Sequence, residues 1–363
     1  MEQHVGHVTY YRNLRELVAG QPDVAPTWLP IPFGLHGPTR LVPLLRSNWS
    51  VRASWRARRA LRAALAARPH DAVVFNTTLT AHFSLGLMRR LPAIVSLDAT
   101  PIVFDRIGHH YGHQAAGGGW LDRQKHRMTQ RVFHAAAGLA AWSEWAGHSL
   151  VGDYGVDPAR VRVIPPGAAP AYFDIGRRRQ PGQGGPARLL FVGGDFERKG
   201  GPLLLECLGG PLAERCELDL VTGAAVAPRP NVRVHRGLGP NSPELLRLFA
   251  EADLFVLPTM ADCLAVALME AAAAGLPVVA TDVGALPEAV RDGESGLLIR
   301  PGDGRGLGRA LETLVDDAQL RRRMGRAGLE LARQRFDGRR NGRALLDLVA
   351  EAARAGPGSR SAA

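Results

Sequence analysis

Short apolar runs recur along this chain, each separated from the next by a longer stretch with helical spacing, and few folds accommodate that rhythm. Strands that alternate with helices build βαβ units and parallel sheets. In the second half the runs are Arg188–Val192 (RLLFV), Glu217–Val221 (ELDLV), Asn231–His235, Leu254–Leu257 (LFVL), Val278–Thr281 (VVAT) and Gly296–Ile299. Between them the spacing predicts helices at Pro202–Cys207, Pro243–Glu251, Leu264–Ala274 and Leu286–Arg291. These runs are apolar at nearly every position instead of at every second one, so both faces of their sheet must be covered. The first half repeats the pattern less cleanly, with strands at Ala72–Phe75, Ala93–Leu97, Gly138–Ala141 and Val161–Ile164.

Two doubly wound, Rossmann-like α/β domains follow, since 363 residues exceed what one core of ordinary size holds. Residues 1–175 make the first. The polar stretch Gly176–Pro186 (GRRRQPGQGGP) is the expected linker, and residues 187–335 make the second domain. Helical runs at Gly306–Arg335 and Arg339–Arg354 follow the last strand. The segment 336–355 is expected to pack back toward the first domain, with 356–363 as a disordered tail. A doubly wound lobe opens on an apolar strand, yet only five mostly polar residues precede Gly6. The reading favours a start upstream of Met1 over a lobe that has lost its first strand.

Composition narrows the functional classes. With 46% hydrophobic and 22% charged residues the chain lies in the globular range. It has neither a run of about 18 apolar residues nor the basic-then-apolar order of a signal peptide, so a cytoplasmic protein is expected. Cys207, Cys216 and Cys263 form no C-x-x-C pair and point to neither a disulfide framework nor a cysteine zinc site. The charge is uneven. Residues 1–170 carry 19 Lys and Arg against 10 Asp and Glu, whereas residues 171–363 carry 26 against 24. Arg46, Arg52, Arg56, Arg58, Arg59 and Arg62 cluster with only Trp49 and Trp55 as aromatic neighbours. That pattern fits peripheral contact with an anionic membrane, an acidic acceptor or a merely solvated face, and not nucleic acid.

The densest chemistry lies in Leu254–Gly296. A strand ends at Pro258, a loop carries Asp262, a helix beginning near Leu264 carries Glu270, and a further strand ends at the turn Asp282-Val283-Gly284. The first helical N–H groups, near Ala265 and Val266, form an anion site for which phosphate is the natural occupant. Asp262 and Glu270 are eight positions apart, roughly 12 Å and about 80° on a helix. A carboxylate pair serving one glycosidic oxygen needs about 5–9.5 Å. They can grip opposite ends of one extended ligand, or Asp262 can cap the helix while Glu270 faces solvent. A second segment, Phe191–Gly201 (FVGGDFERKGG), reads as a strand, a glycine turn and a helix start. Its Lys199 stands out, because Lys125 is the only other lysine beside 43 arginines. A flexible ammonium in a glycine turn suits a phosphate, the alternative being an exposed surface lysine.

The Leu254–Gly296 segment resembles the E-x7-E signature of retaining GT-B glycosyltransferases of family 4, and the resemblance covers most of the chain. The family has a glutamate and then glycine, phenylalanine and glycine where Asp262, Cys263, Leu264 and Ala265 stand here. Glu270, Ala271, Gly275, Pro277, Gly284, Pro287 and Glu288 match it. In the glycine turn Gly193, Lys199 and Gly200 match, while Gly194 takes the place of the family's arginine and Arg198 is the compensating cation. Ala141–Glu144 followed by Val161–Gly167 resembles the family's passage into its hinge, with Pro166 in place of asparagine.

The resemblance implies two Rossmann-like domains facing across a cleft, and transfer of a sugar from a nucleotide diphosphate donor to an acceptor hydroxyl with retention. Arg198, Lys199 and Asp262 are then the catalytic candidates. Gly193, Gly194, Ala265, Val266, Glu270, Gly284 and Glu288 are the donor-binding ones, with Glu270 on the ribose and Asp262 on the sugar. Gly6, His7, His82 and Asp98 are the acceptor-side candidates, Asp98 standing where many members have histidine. His109, His110 and His113 lie in a loop without partner carboxylates, and no D-x-D stands at a strand end, so neither metal nor other cofactor is expected. A same-fold epimerase or phosphorylase is the nearer alternative, although His235 is the only histidine of the second domain. A catalytically silent partner-binding module is the more distant one, drawing on Gly194, Asp262 and Ala265.

Overall fold

The computed structural model describes residues 1, 6–32, 34, 49–112, 119–179 and 185–356. Two compact units emerge. The first comprises Met1–Arg106, Ala115–Ile164 and Arg340–Ala363, and the second Ile107–Gln114 and Pro165–Arg339.

The first unit holds a parallel sheet of β1 (Val73–Phe75), β2 (Ala93–Leu97), β3 (Gly138–Ala141) and β4 (Val161–Val163), in that order among the described residues. β2 and β3 are buried at every position, as their unbroken apolar runs require. Phe75, Met88, Val95, Leu97, Val132, Phe133, Leu139 and Tyr154 form its core. The helix Gly338–Ala355 belongs here through Arg340 and beyond. A Cβ at Gly138 would press on the Leu348 and Ile94 side chains at 3.1 Å, and one at Gly342 would run into Leu17. Those two glycines let the helix lie against β3 and against the helix Gly6–Ala19. Residues 2–5, directly before Gly6, lie outside the described residues. Met1 donates its amino group to the Leu29 carbonyl at 2.7 Å and accepts from the Ile31 amide at 2.8 Å.

In the second unit β5 (Ala187–Val192), β6 (Cys216–Val221), β7 (Val232–His235), β8 (Leu254–Leu257), β9 (Val278–Thr281) and β10 (Gly296–Ile299) form a parallel sheet in the order β10-β9-β8-β5-β6-β7. Every expected strand is present within a residue of its place. The division between units differs from the expected one at 175, because the second unit already begins at Pro165. Helix Pro170–Arg178 packs on it: Tyr172 meets Phe249 edge to face at 5.0 Å, and a Cβ at Gly176 would strike the Ala273 carbonyl. The expected linker 176–186 is therefore anchored at its start. The Arg179 guanidinium donates to the carbonyls of Ala274 and Ala252, each at 2.7 Å, and of Phe249 at 2.5 Å. It ties down the C-terminal ends of helices Pro243–Glu251 and Val266–Ala273, where carbonyls otherwise lack partners. The long run 306–335 is two helices, Gly304–Asp316 and Ala318–Arg335, parted at Asp317, whose carboxylate caps the second by accepting from the Leu320 amide. Of the expected tail, 357–363 lie outside the described residues.

Candidate active site

The strand order of the second sheet reverses beside β5, with β6 and β7 on one side and β8, β9 and β10 on the other. At such a switch point the loops leaving two neighbouring carboxyl ends diverge and open a crevice. The loops are Gly193–Gly200 after β5 and Pro258–Ala265 after β8, the segments that carry the expected cations and Asp262.

Backbone contacts hold the two loops together. The Met260 amide donates to the Arg198 carbonyl at 2.8 Å, and the Thr259 hydroxyl lies 3.1 Å from that carbonyl and 3.0 Å from the Ala261 carbonyl. Thr281 donates to the Thr259 carbonyl at 2.7 Å, fixing the loop to β9. Gly200 has φ +79°, and a Cβ there would overlap the Pro258 carbonyl. Only glycine gives both that backbone and that approach.

The side chains then converge. Lys199 Nζ is bonded to Asp262 Oδ2, and both side chains are about nine-tenths buried. Arg198, with its side chain 3% exposed, donates Nε to Asp195 Oδ2 at 2.9 Å and Nη1 to the Ala261 carbonyl at 2.6 Å. Its Nη1 is 3.8 Å from Asp262 Oδ2. Arg198 Nη2 makes no hydrogen bond to any described residue, so two charged N–H donors stay available on a buried side chain. Two cations face two carboxylates here, Asp195 being the one sequence reasoning missed, three positions from Arg198 in the same turn. Asp262, expected at the donor sugar, is paired with Lys199 here.

Helix Val266–Ala273 starts beside this cluster. Ala265 precedes it in extended backbone with no side-chain cap, leaving its first amides with their partial positive charge for an anion. On its far turn Glu270 is buried, and burial pushes its carboxyl up to about 7, the neighbouring Tyr172 hydroxyl offsetting this in part. The Tyr172 phenol is raised in turn, first by burial and then by the Glu270 charge, and makes no hydrogen bond of good geometry. Glu270 is therefore not the solvated residue of the plainer expectation. It is a desolvated acceptor, and hydroxyl donors would stabilise its charged form.

Gly284, at φ +59°, brings the turn after β9 against the Asp262 carbonyl, which a Cβ would overlap, and the Ala285 amide donates to Cys263 O at 2.9 Å. Glu288 accepts from Arg335 Nη2 at 3.0 Å. Gly193 packs under the Phe191 ring, whereas a Cβ at Gly194 would meet nothing within 4 Å. The missing arginine is thus a change of chemistry that sterics do not impose.

Within the first unit, Gly6 opens helix Gly6–Ala19, and His7 Nε2 stands 3.6 Å from Asp98 Oδ2. Burial would raise the Asp98 carboxyl, but the hydrogen bond and charge of His7, with local backbone N–H groups, hold it below its ordinary value. The His7 ring lies 4.7 Å from that of Trp142, whose Nε1 donates to Ser96 at 2.9 Å. His82 does not join them. Its Nε2 pairs with Thr129 at 3.2 Å, and burial lowers its pKa to about 4. Among the described residues no three His, Cys, Asp or Glu side chains gather as a metal ion needs, and no helix is long and apolar enough to cross a membrane. His113 lies outside those residues.

The family model for glycosyl transferases group 1 matches residues 186–317, and that for glycosyltransferase family 4 matches residues 24–172. D-inositol 3-phosphate glycosyltransferase from Paenarthrobacter aurescens is 31% identical over 224 residues, 56% of this chain and 55% of that protein. The chain spans about half the length of the curated relatives it matches. Among solved structures, sucrose-phosphate synthase from Thermosynechococcus elongatus superposes with a TM-score of 0.73 at 18% identity, over 96% of this chain and 94% of that one. HepE from Anabaena, solved with UDP, gives 0.61 at 17% identity over 89% and 86%. The fold is GT-B. The chain belongs to the group 1, family 4 glycosyltransferases.

Proposed function

We propose that the protein transfers a sugar from a nucleotide diphosphate sugar to an acceptor hydroxyl with retention at the anomeric carbon. The observation that carries this reading is the pairing of two buried cations, Arg198 and Lys199, with an uncapped helix N-terminus at the switch point of the second sheet. HepE was solved with UDP and the Paenarthrobacter relative is named for glycosyl transfer, which fits a nucleotide donor. The bond from the anomeric carbon to the diphosphate breaks as the acceptor oxygen bonds on the same face, and the acceptor's proton passes to a donor phosphate oxygen. Negative charge grows on the departing diphosphate. Preorganised donors aimed at such developing charge lower the barrier, and Arg198 Nη2, Lys199 and the amides near Val266 are such donors. Glu270, eight residues beyond Asp262, receives the ribose hydroxyls.

On binding, the diphosphate competes with Asp262 for Lys199 and frees the Asp262 carboxylate for the sugar. The His7–Asp98 pair serves the acceptor side, and Glu288, oriented by Arg335, lies on the donor side. Helix Trp49–Ala67 gives the basic first half a surface for an anionic membrane, since Trp49 and Trp55 are 48% and 37% exposed and the Arg59 guanidinium lies over the Trp55 ring. A cytoplasmic setting belongs to the same proposal. Calorimetric titration with UDP-, GDP- and ADP-sugars in EDTA, followed by NMR of the product anomer, tests it. Binding of one donor and an unchanged anomer support it, whereas a metal requirement or inversion overturns it.

A further inference from the structure

Arg198 is held on a third side by a residue that neither loop supplies. Tyr111 ends the 3₁₀ turn Gly108–Tyr111 and groups with the second unit despite its early place in the chain. Its ring lies 4.1 Å from the Arg198 guanidinium, and Arg198 Nη1 donates to its hydroxyl at 3.2 Å. Asp195 holds Nε, the Ala261 carbonyl shares Nη1, and the ring covers one face of the plane. Only the Nη2 edge is left for a ligand. Tyr111 is itself 36% exposed, so it is not buried to fill a core. His110, beside it, has its pKa lowered by burial first and then by the charges of His109 and Arg198.

We infer that Tyr111 is a positioning residue for the anion site: it fixes the plane of Arg198 so that Nη2 points at a diphosphate oxygen. A long side chain otherwise loses rotamer freedom when it binds, and a stacked, hydrogen-bonded arginine has lost it beforehand. The guanidinium over an aromatic face adds electrostatic attraction that strengthens as water is excluded. The role as an anion clamp rests on the glycosyltransferase reading, whereas the hold on Arg198 does not.

The test uses the full chain with UDP, uridine and inorganic pyrophosphate as probes. Tyr111→Leu should weaken UDP and pyrophosphate by about five- to thirtyfold, in the range that desolvated cation–π contacts give, and leave uridine unchanged. Tyr111→Phe keeps the ring and should lose less. In an Arg198→Gln background Tyr111→Leu should have no further effect, because the two act as one unit. The Arg198 Nε–Hε resonance, assigned by its loss in Arg198→Lys, should shift in Tyr111→Leu with no ligand present. An unmoved resonance, or equal weakening of UDP and uridine, overturns the inference. If the wild type binds no nucleotide or pyrophosphate while the resonance still shifts, the hold on Arg198 stands and the donor reading fails.

Discussion

The two units are built alike, from parallel strands joined by helices, yet the second locks its candidate residues together and the first leaves them loosely paired. In the second, Lys199, Arg198, Asp195 and Asp262 are fastened by backbone contacts between two adjoining loops and by glycines that permit no other residue at the crossing points. In the first, His7 and Asp98 stand 3.6 Å apart, the Asp98 side chain is 30% exposed, and His82 is turned away to Thr129. Fixed charge in a dry crevice lowers a barrier because it needs no rearrangement when charge develops. A pair with one partly exposed member is screened more and can adapt to what it meets. On the proposed function, chemistry falls to the second unit and adaptability to the first, and that contrast can be broken by substitution.

The largest effect is expected at Lys199. Removing its ammonium takes away a charge that the breaking sugar–phosphate bond needs more than the bound donor does, so Lys199→Ala should lower kcat by about 10²–10³. KM should change less. Lys199→Arg keeps the charge but sets a wide planar fork in the tight turn, giving partial rescue. Steady-state kinetics decide it: a rise in KM with kcat intact moves Lys199 from catalysis to binding.

Next comes Glu270. Charged hydrogen bonds to two ribose hydroxyls are worth about 1.5–3 kcal/mol each in stability terms, so Glu270→Gln should weaken nucleotide binding by roughly 2–3 kcal/mol. Its pKa, raised from 4.5 to about 7, fixes two signs. Ribose hydroxyls need the carboxylate as acceptor, so donor affinity should fall as pH drops below about 7. Stability runs the other way. Between pH 4.5 and 7 the folded state holds a proton that the unfolded state releases, so the group costs stability as pH rises through that window. Glu270→Gln should accordingly raise the melting temperature at pH 8 while weakening binding, and an unchanged melting temperature would place the carboxyl in a wetter site.

How far each unit could be read from its residues follows from the same contrast. The strands of the second sheet are unbroken runs such as LFVL and VVAT, buried on both faces, and their places were legible to within a residue. Glu270 and Lys199 were legible because a lysine among arginines and a carboxylate on an apolar helix have few structural uses. Tyr111 and Tyr172 were not. Tyr111 reaches Arg198 across 87 positions, and Tyr172 lies before the expected domain boundary although it packs in the second unit. Local spacing contains no trace of such contacts. The anchoring by Arg179 was hidden for the same reason, its three carbonyl partners coming from two separate helix ends. The contact of His82 with Thr129 was hidden too, because a histidine near a strand end has the same local sequence whichever partner it meets.

In the first unit, Asp98→Asn should leave UDP affinity unchanged and alter stability by about 1 kcal/mol or less, the size of a partly exposed ion pair. The Asp98 pKa is held down in the folded state. Its contribution is therefore present above the unfolded carboxylate value and is lost as pH falls through the lower, folded one. Melting temperatures of wild type and variant should differ near neutrality and converge in acid. A changed UDP affinity in this variant would break the division of labour between the units.

The smallest effect is expected at Gly194, where it cuts most finely between sterics and chemistry. The family's arginine is absent there, yet a Cβ would meet nothing within 4 Å and the backbone is not left-handed. Gly194→Arg should therefore fold with its melting temperature nearly unchanged. A third cation beside Arg198 and Lys199 should tighten pyrophosphate and UDP by a few-fold, since a flexible exposed arginine gains about 1 kcal/mol or less from a partly solvated anion. The gain should shrink as salt is raised from 50 to 500 mM, because the Debye length shortens and exposed charges are screened at shorter range. Tighter binding with lower kcat would mean that the natural glycine lets the diphosphate leave. If affinity falls instead, the space at Gly194 is occupied by the ligand itself, and the crevice holds its phosphates nearer to β5 than Arg198 Nη2 implies.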